Sequence, residues 1–102
     1  MSTEGTPIKP AVLLTIIAES VLRDRLVKLL KNNHVTGYTI SAVQGEGGHG
    51  RRMGDIAGYN TNIEIKTLVS PEASDDILRG LPELREGHAL IAFRQDVEAL
   101  SE

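Results

Sequence analysis

The segment from Gly45 to Arg52, with the sequence Gly-Glu-Gly-Gly-His-Gly-Arg-Arg, carries the residues of this chain best suited to binding chemistry. It combines four glycines with two adjacent arginines. The backbone N–H groups of a glycine-rich loop can converge on an anion because no Cβ blocks their approach, and arginine adds bidentate contacts to phosphate. We therefore expect a phosphate group as the ligand of this loop.

Gly45, Gly47 and Gly50 also satisfy the spacing G-x-G-x-x-G of dinucleotide-binding proteins. That motif requires a helix to begin directly after it, and residues 53–58 do not have a helical pattern, so we reject this interpretation. A plain connection, with glycines for mobility and arginines for solubility, is the alternative. The loop spans 44–60, and long loops in small domains are uncommon and often functional, which favours a ligand role.

Catalytic and metal-binding patterns are not found in the sequence. The serines lack the context of a nucleophile elbow, and His49 with Glu46 and Asp55 forms too loose a cluster for a metal site. We therefore predict a protein without enzymatic activity and without a metal. Weak nucleotide hydrolysis, with Glu46 and Asp55 as the candidate bases, is kept as an alternative.

The composition sets limits on the class of protein. With 102 residues, 40% of them apolar and 25% charged, the chain is expected to form one soluble domain. A net charge of -3 argues against binding to nucleic acid or an anionic membrane surface. The absence of cysteine and of an apolar N-terminal run favours a cytoplasmic location.

The elements that must position the loop follow from the hydrophobic pattern. The predicted order is strand, helix, strand, strand, helix, strand, which indicates an α+β ferredoxin-like βαββαβ sandwich with two helices on one face of an antiparallel four-stranded sheet. We expect a subunit partner to cover the other face. The predicted segments are a flexible tail over 1–10, a single domain over 11–102, strands over 12–18, 38–43, 63–69 and 89–93, a helix over 21–31, and a short helix from Ser70 that ends near Gly80 and Pro82.

Four stretches of the chain carry a family pattern: Gly37-Tyr38-Thr39-Ile40, Gly45-Glu46-Gly47, Asn62-Ile63-Glu64-Ile65, and Ala89-Leu90-Ile91-Ala92-Phe93 with Asp96-Val97-Glu98. Together they resemble the PII signalling superfamily over nearly all of residues 12–100. The Gly-Tyr-Thr sequence at 37–39 and the G-x-G loop that ends in arginine are more similar to the PII-like proteins linked to bicarbonate transport and carboxysomes.

This resemblance implies a homotrimer with an adenine nucleotide in each cleft between subunits and a T-loop, here about 45–60, that engages a protein partner such as a membrane transporter. Bicarbonate is implied as a second ligand. Matched by position, Thr39 and Ile65 would border the adenine, and Gly87 with His88 would close the site. The loop residues beside the phosphates would be Gly45, Gly47, Gly48 and His49, with Arg51 and Arg52 as its basic positions.

Two departures from the family pattern concern the choice of nucleotide. His88 stands where nitrogen-regulatory members have a phosphate-binding lysine, and neutral residues around Ala99 and Ser101 replace a basic pair. Fewer positive charges should favour ADP, AMP or cyclic AMP over ATP. A trimeric interaction module without a nucleotide ligand is the remaining alternative.

Overall fold

A computed structural model describes residues 7–44 and 62–100. The order of strands and helices confirms the predicted ferredoxin-like arrangement of a four-stranded antiparallel sheet and two helices. The elements are β1 (Ile8–Glu19), a 3-10 turn (Ser20–Leu22), α1 (Arg23–Asn32), β2 (Thr39–Val43), β3 (Asn62–Val69), α2 (Pro71–Arg85) and β4 (Leu90–Leu100).

The strands lie in the order β2-β3-β1-β4, so β1 is a central strand. Its continuous apolar sequence supplies both faces of the sheet, because Leu14 and Ile16 are buried under the helices while Leu13 and Ile17 lie half-buried on the face without helices. β1 begins at Ile8, so residues 8–10, which the sequence assigned to the tail, pair with the end of β4. β4 in turn runs on to Leu100 and includes the segment from Asp96, whose type the sequence left open.

The hydrophobic core lies between the sheet and the two helices. Because side chains alternate along a strand, Leu14 and Ile16 face the helices, whereas Leu13 and Ile17 face the other way. Burial of each such side chain contributes about 1.5–3 kcal/mol. The buried cluster comprises Leu14, Ile16, Ala18, Leu22, Leu26, Leu30, Ile63, Ile65, Ile77 and Leu81.

Helix α2 is longer than the sequence predicted. Its start is as expected, since Ser70 Oγ accepts a hydrogen bond from the Ala73 N–H at 3.1 Å. The predicted end near Gly80 and Pro82 is wrong, because the helix continues to Arg85. An internal proline removes a helical hydrogen bond, but here it lies on the exposed side, while the neighbouring Leu81 is buried against the sheet. Tertiary packing therefore outweighs the local preference to stop.

The end of α1 reverses the chain toward β2. His34 has a φ of 65°, its N–H donates to the Lys31 carbonyl, and the Val35 N–H donates to the Leu30 carbonyl, both at 3.0 Å. This pair of bonds is a Schellman cap, which satisfies the last carbonyl groups of the helix. The buried Thr67 hydroxyl then donates to the Gly37 carbonyl at 2.6 Å and fixes the chain just before β2.

Candidate functional site

The predicted ligand loop joins β2 to β3 at one end of the sheet. Val43, the last residue of β2, lies opposite Asn62, the first residue of β3. Asn62 lies opposite Glu19 at the end of β1, and the Glu19 N–H donates to the Ala89 carbonyl at 3.2 Å. Neighbouring strands are about 4.8 Å apart, so these four residues form a row roughly 15 Å long. We call this row the loop edge.

The turn over 86–89 precedes β4 at the loop edge. Gly87 adopts a φ of 80°, a left-handed conformation that glycine tolerates best. The His88 N–H donates to the Arg85 carbonyl at 2.8 Å, and His88 Nδ1 lies 3.0 Å from the Glu86 carbonyl oxygen. The structure therefore places Gly87 and His88, two predicted nucleotide residues, beside the base of the predicted ligand loop.

Glu19 is the buried acidic residue of the loop edge, and the sequence did not predict a role for it. Its side chain is buried, with the residue 3% exposed, and its Oε2 accepts a hydrogen bond from the Ala89 N–H at 2.5 Å. A carboxylate is placed in such a buried position only when hydrogen-bond donors compensate its lost hydration. The signal in the sequence was an acidic residue directly after the apolar run Val12–Ala18, where a buried strand ends.

The hydrogen bonds of the turn limit how it could meet a phosphate. The N–H groups of His88 and Ala89 already have acceptors, so of these two residues only the ring of His88, through its outer nitrogen Nε2, could contact a phosphate. Since the Glu86 carbonyl can only accept, Nδ1 carries a proton in that bond. Nε2 is then the ring nitrogen that takes no part in the turn and faces a ligand.

Thr39 and Ile65 lie away from the loop edge. Thr39 begins β2 on the face of the sheet without helices, roughly 13 Å along the strand from Val43. Ile65 is 0% exposed in the core, so a ligand could reach its backbone but not its side chain. Lys66, which the sequence analysis did not single out, lies opposite Thr39 with its ammonium 3.6 Å from the Glu64 carboxylate. The roles of Thr39 and Ile65 at the adenine stay predictions.

The other predicted site residues lie outside the described part of the chain, and their roles stay predictions. They are Gly45, Gly47, Gly48, His49, Arg51 and Arg52. Within residues 7–44 and 62–100, no group of three or more histidine, cysteine, aspartate or glutamate residues is arranged to hold a metal ion. In the same residues, neither helix has the length and apolar character needed to cross a membrane.

An open cleft of about 500 Å³ lies at the opposite end of the sheet. Its lining includes Asn33, His34, Gly37, Ser70 and Asp76. None of the predicted nucleotide residues within the described part of the chain lines it. The cleft is therefore separate from the chemistry of the loop edge.

Comparison with known proteins identifies the family. The family model for nitrogen regulatory protein P-II matches residues 11–101. The chain belongs to the nitrogen regulatory protein P-II family. Members of the P-II family are regulatory proteins rather than enzymes, and they are trimers. The predicted membership and the predicted lack of enzymatic activity are thus confirmed at the level of the family.

Solved structures of P-II-like proteins support this assignment. A protein of Thermus thermophilus described as a PII-like signalling protein is 36% identical, with a TM-score of 0.75, over 91% of this chain and 92% of that chain. CPII from Thiomonas intermedia, bound to ADP, AMP and bicarbonate, is 28% identical, with a TM-score of 0.79, over 92% of both chains. A further CPII structure, bound to ADP and bicarbonate, is also 28% identical, with a TM-score of 0.78 and the same coverage. The search of curated proteins found no match.

Proposed function

We propose that this P-II family protein is a trimeric sensor that binds an adenine nucleotide, ADP or AMP, beside the loop edge, with bicarbonate as a second ligand. The observation that carries the proposal is the similarity over nearly the full chain to CPII, whose structure holds ADP, AMP and bicarbonate. The proposed signal concerns inorganic carbon metabolism, in keeping with the bicarbonate of CPII.

The geometry of the loop edge supports a phosphate site. The sheet brings the two ends of the predicted ligand loop next to the turn that carries Gly87 and His88. A loop that is tethered at both ends beside a fixed turn can enclose a ligand between them. Histidine supplies a full positive charge only when it is protonated, so it neutralises less phosphate charge near pH 7 than lysine does. We therefore propose ADP and AMP ahead of ATP, with cyclic AMP as a further candidate.

The proposed signal is a change in the T-loop at about 45–60. A nucleotide that contacts one conformation of the loop better than others shifts the loop toward that conformation. Such a shift between ordered and disordered forms alters the surface that a protein partner recognises. We propose a protein partner, such as a membrane transporter, that binds one of these forms.

The test is calorimetric titration of the purified protein with AMP, ADP, ATP and cyclic AMP, with and without bicarbonate. We expect saturable binding of ADP or AMP. His88→Ala should weaken that binding about tenfold, because a hydrogen bond to a charged group contributes about 1.5 kcal/mol or more. The Arg51→Ala, Arg52→Ala double variant should weaken it further if both arginines contact phosphate.

His34→Asn is the matched control for the histidine variant. His34 is exposed and lines the cleft at the end of the sheet opposite the loop edge, and asparagine tolerates its left-handed backbone. This variant should bind nucleotide as the wild type does. Absence of binding of every nucleotide to the wild type would contradict the proposal and would favour an interaction module without a ligand.

A further inference from the structure

We infer that Glu19 is a positioning residue of the proposed nucleotide site, whose buried carboxylate fixes the turn over 86–89 and thereby the ring of His88 that meets phosphate. The inference rests on the proposed function, because it assigns His88 to the ligand. It concerns a residue that does not itself touch the nucleotide. Glu19 is 70 residues from Ala89 in the sequence, yet the sheet brings the two together.

Glu19 makes hydrogen bonds to both the carbonyl and the N–H group of Ala89. The Glu19 N–H donates to the Ala89 carbonyl at 3.2 Å, and the Glu19 carboxylate accepts from the Ala89 N–H at 2.5 Å. The first bond continues the pairing of β1 with β4 beyond Leu90. The second bond is accepted by the side-chain carboxylate, and hydrogen bonds to a carboxylate are stronger than those between neutral groups.

The turn needs this anchor because its backbone is permissive. Gly87 has access to more conformations than other residues, and it adopts a φ of 80° here. Ala89 follows His88 directly, so fixing the Ala89 peptide restricts the orientation of the histidine before any ligand arrives. A group held in its binding position in advance loses less entropy on binding, which raises the affinity.

The same bond removes one donor that the turn could otherwise offer. Because the Glu19 carboxylate takes the Ala89 N–H, this amide is not available to a phosphate. The His88 N–H is likewise taken by the Arg85 carbonyl. Glu19 thus makes the ring of His88, rather than the backbone after it, the contact of this turn with the ligand.

The experiment compares wild type, Glu19→Gln and Glu19→Asp by ADP titration and by the NMR signal and hydrogen exchange of the Ala89 amide. The aspartate of Glu19→Asp is one methylene shorter and cannot reach Ala89 from the same backbone. We therefore expect this variant to have a Kd for ADP about tenfold higher, as for the loss of one hydrogen bond to a charged group, and faster hydrogen exchange of the Ala89 amide. Gln keeps an acceptor oxygen, so it should rescue the affinity to within about threefold while the Ala89 amide proton moves upfield.

Ser74→Ala is the control for a general loss of stability. Ser74 is buried in the first turn of α2, where its hydroxyl donates to the Pro71 carbonyl at 2.8 Å, and it belongs to neither the turn nor the loop edge. This variant should lose stability but keep the wild-type Kd for ADP. An equal loss of affinity in Ser74→Ala and Glu19→Asp would overturn the inference.

The outcomes separate the two proposals. Wild-type protein that binds neither ADP nor AMP would overturn the proposed function and this inference together. Binding by the wild type that is unchanged in Glu19→Asp would overturn the role of Glu19 alone. If Glu19→Asp does not fold, Glu19→Gln decides, and an Ala89 amide signal and a Kd identical to wild type would overturn the inference.

Discussion

Arg94 in β4 connects the sheet to the first turn of α2. Its Nη1 donates to Ser74 Oγ at 2.8 Å and also to the carboxylate of Asp75. The hydrogen bond from Arg94 lowers the pKa of Asp75 below its ordinary value of 3.8, and the positive charges of Arg94 and Arg79 lower it further. At the scale of single residues, this pair predicts how the stability of the protein depends on pH.

We expect Asp75→Asn to reduce the free energy of unfolding at neutral pH and to lose this effect in acid. A carboxyl whose pKa is lower in the folded state stabilises the fold fully above its ordinary pKa, and this contribution disappears as the pH falls from about 3.8 through the lowered value. Urea denaturation of wild type and variant between pH 7 and pH 2 measures the difference.

The neighbouring Asp76→Asn is the control for the pH experiment. Asp76 pairs with Arg79 at 2.7 Å on the exposed surface of α2, and exposed pairs of this kind contribute little. The free energy of unfolding of Asp76→Asn should depend on pH almost as that of the wild type does. A difference between Asp75→Asn and wild type that is the same at pH 7 and pH 2 would contradict the role of the Asp75 charge.

Helices α1 and α2 approach each other closely where α2 contains glycine. A β-carbon at Gly80 would lie 2.9 Å from Leu29 Cδ1, so even alanine requires the leucine to move. Glycine inside a helix destabilises it by about 1 kcal/mol relative to alanine, but the absence of a side chain allows the close contact between the helices. At the scale of the element, the close packing explains why glycine stands in the middle of a helix that continues past it.

We expect Gly80→Val to destabilise the protein by about 1–3 kcal/mol, as larger side chains do in packed positions. Gly80→Ala should stay within about 1 kcal/mol of wild type, because the gain in helix propensity offsets the displacement of Leu29. In a Leu29→Ala background the clash is absent, so the same Gly80→Ala change should stabilise by up to about 1 kcal/mol.

Thermal and urea unfolding of the four members of this Leu29 and Gly80 double-mutant cycle measure the coupling. The double variant Leu29→Ala, Gly80→Ala should be more stable than the sum of the two single-variant effects predicts. Equal effects of Gly80→Ala in both backgrounds would show that contact with Leu29 does not explain the glycine.

The face of the sheet without helices is apolar at its centre. Ile91 is 60% exposed and Phe93 is 45% exposed, and they lie opposite Ile17 and Thr15 of β1. Exposed apolar side chains gathered on one face are typical of a surface that a partner covers. At the scale of the whole molecule, this face is the surface that we expect to lie against other subunits in the trimer of this family.

We expect Ile91→Asp to dissociate the trimer at micromolar concentrations, since an unpaired charge in an apolar interface costs several kcal/mol. Light scattering coupled to size-exclusion chromatography measures the molecular mass, and the thermal midpoint should fall because subunit association stabilises the folded chain. Lys28→Gln, an exposed residue of α1 with the same change in net charge, should remain a trimer. A trimer of unchanged stability in Ile91→Asp would place the interface elsewhere.

By itself the sequence determined the order of the six elements, the cap of α2 at Ser70 and the family pattern, because hydrophobic periodicity and turn chemistry act between near neighbours. Within the described residues, it also predicted four nucleotide-binding residues whose roles stay predictions: Thr39, Ile65, Gly87 and His88. Only the tertiary structure decided that α2 passes through Pro82, since the packing of Leu81 that outweighs the proline is invisible to local preference. The pairing of β1 with β4 likewise brought Glu19 to Ala89. No local pattern encodes a contact across 70 residues, because it exists only once the sheet has formed.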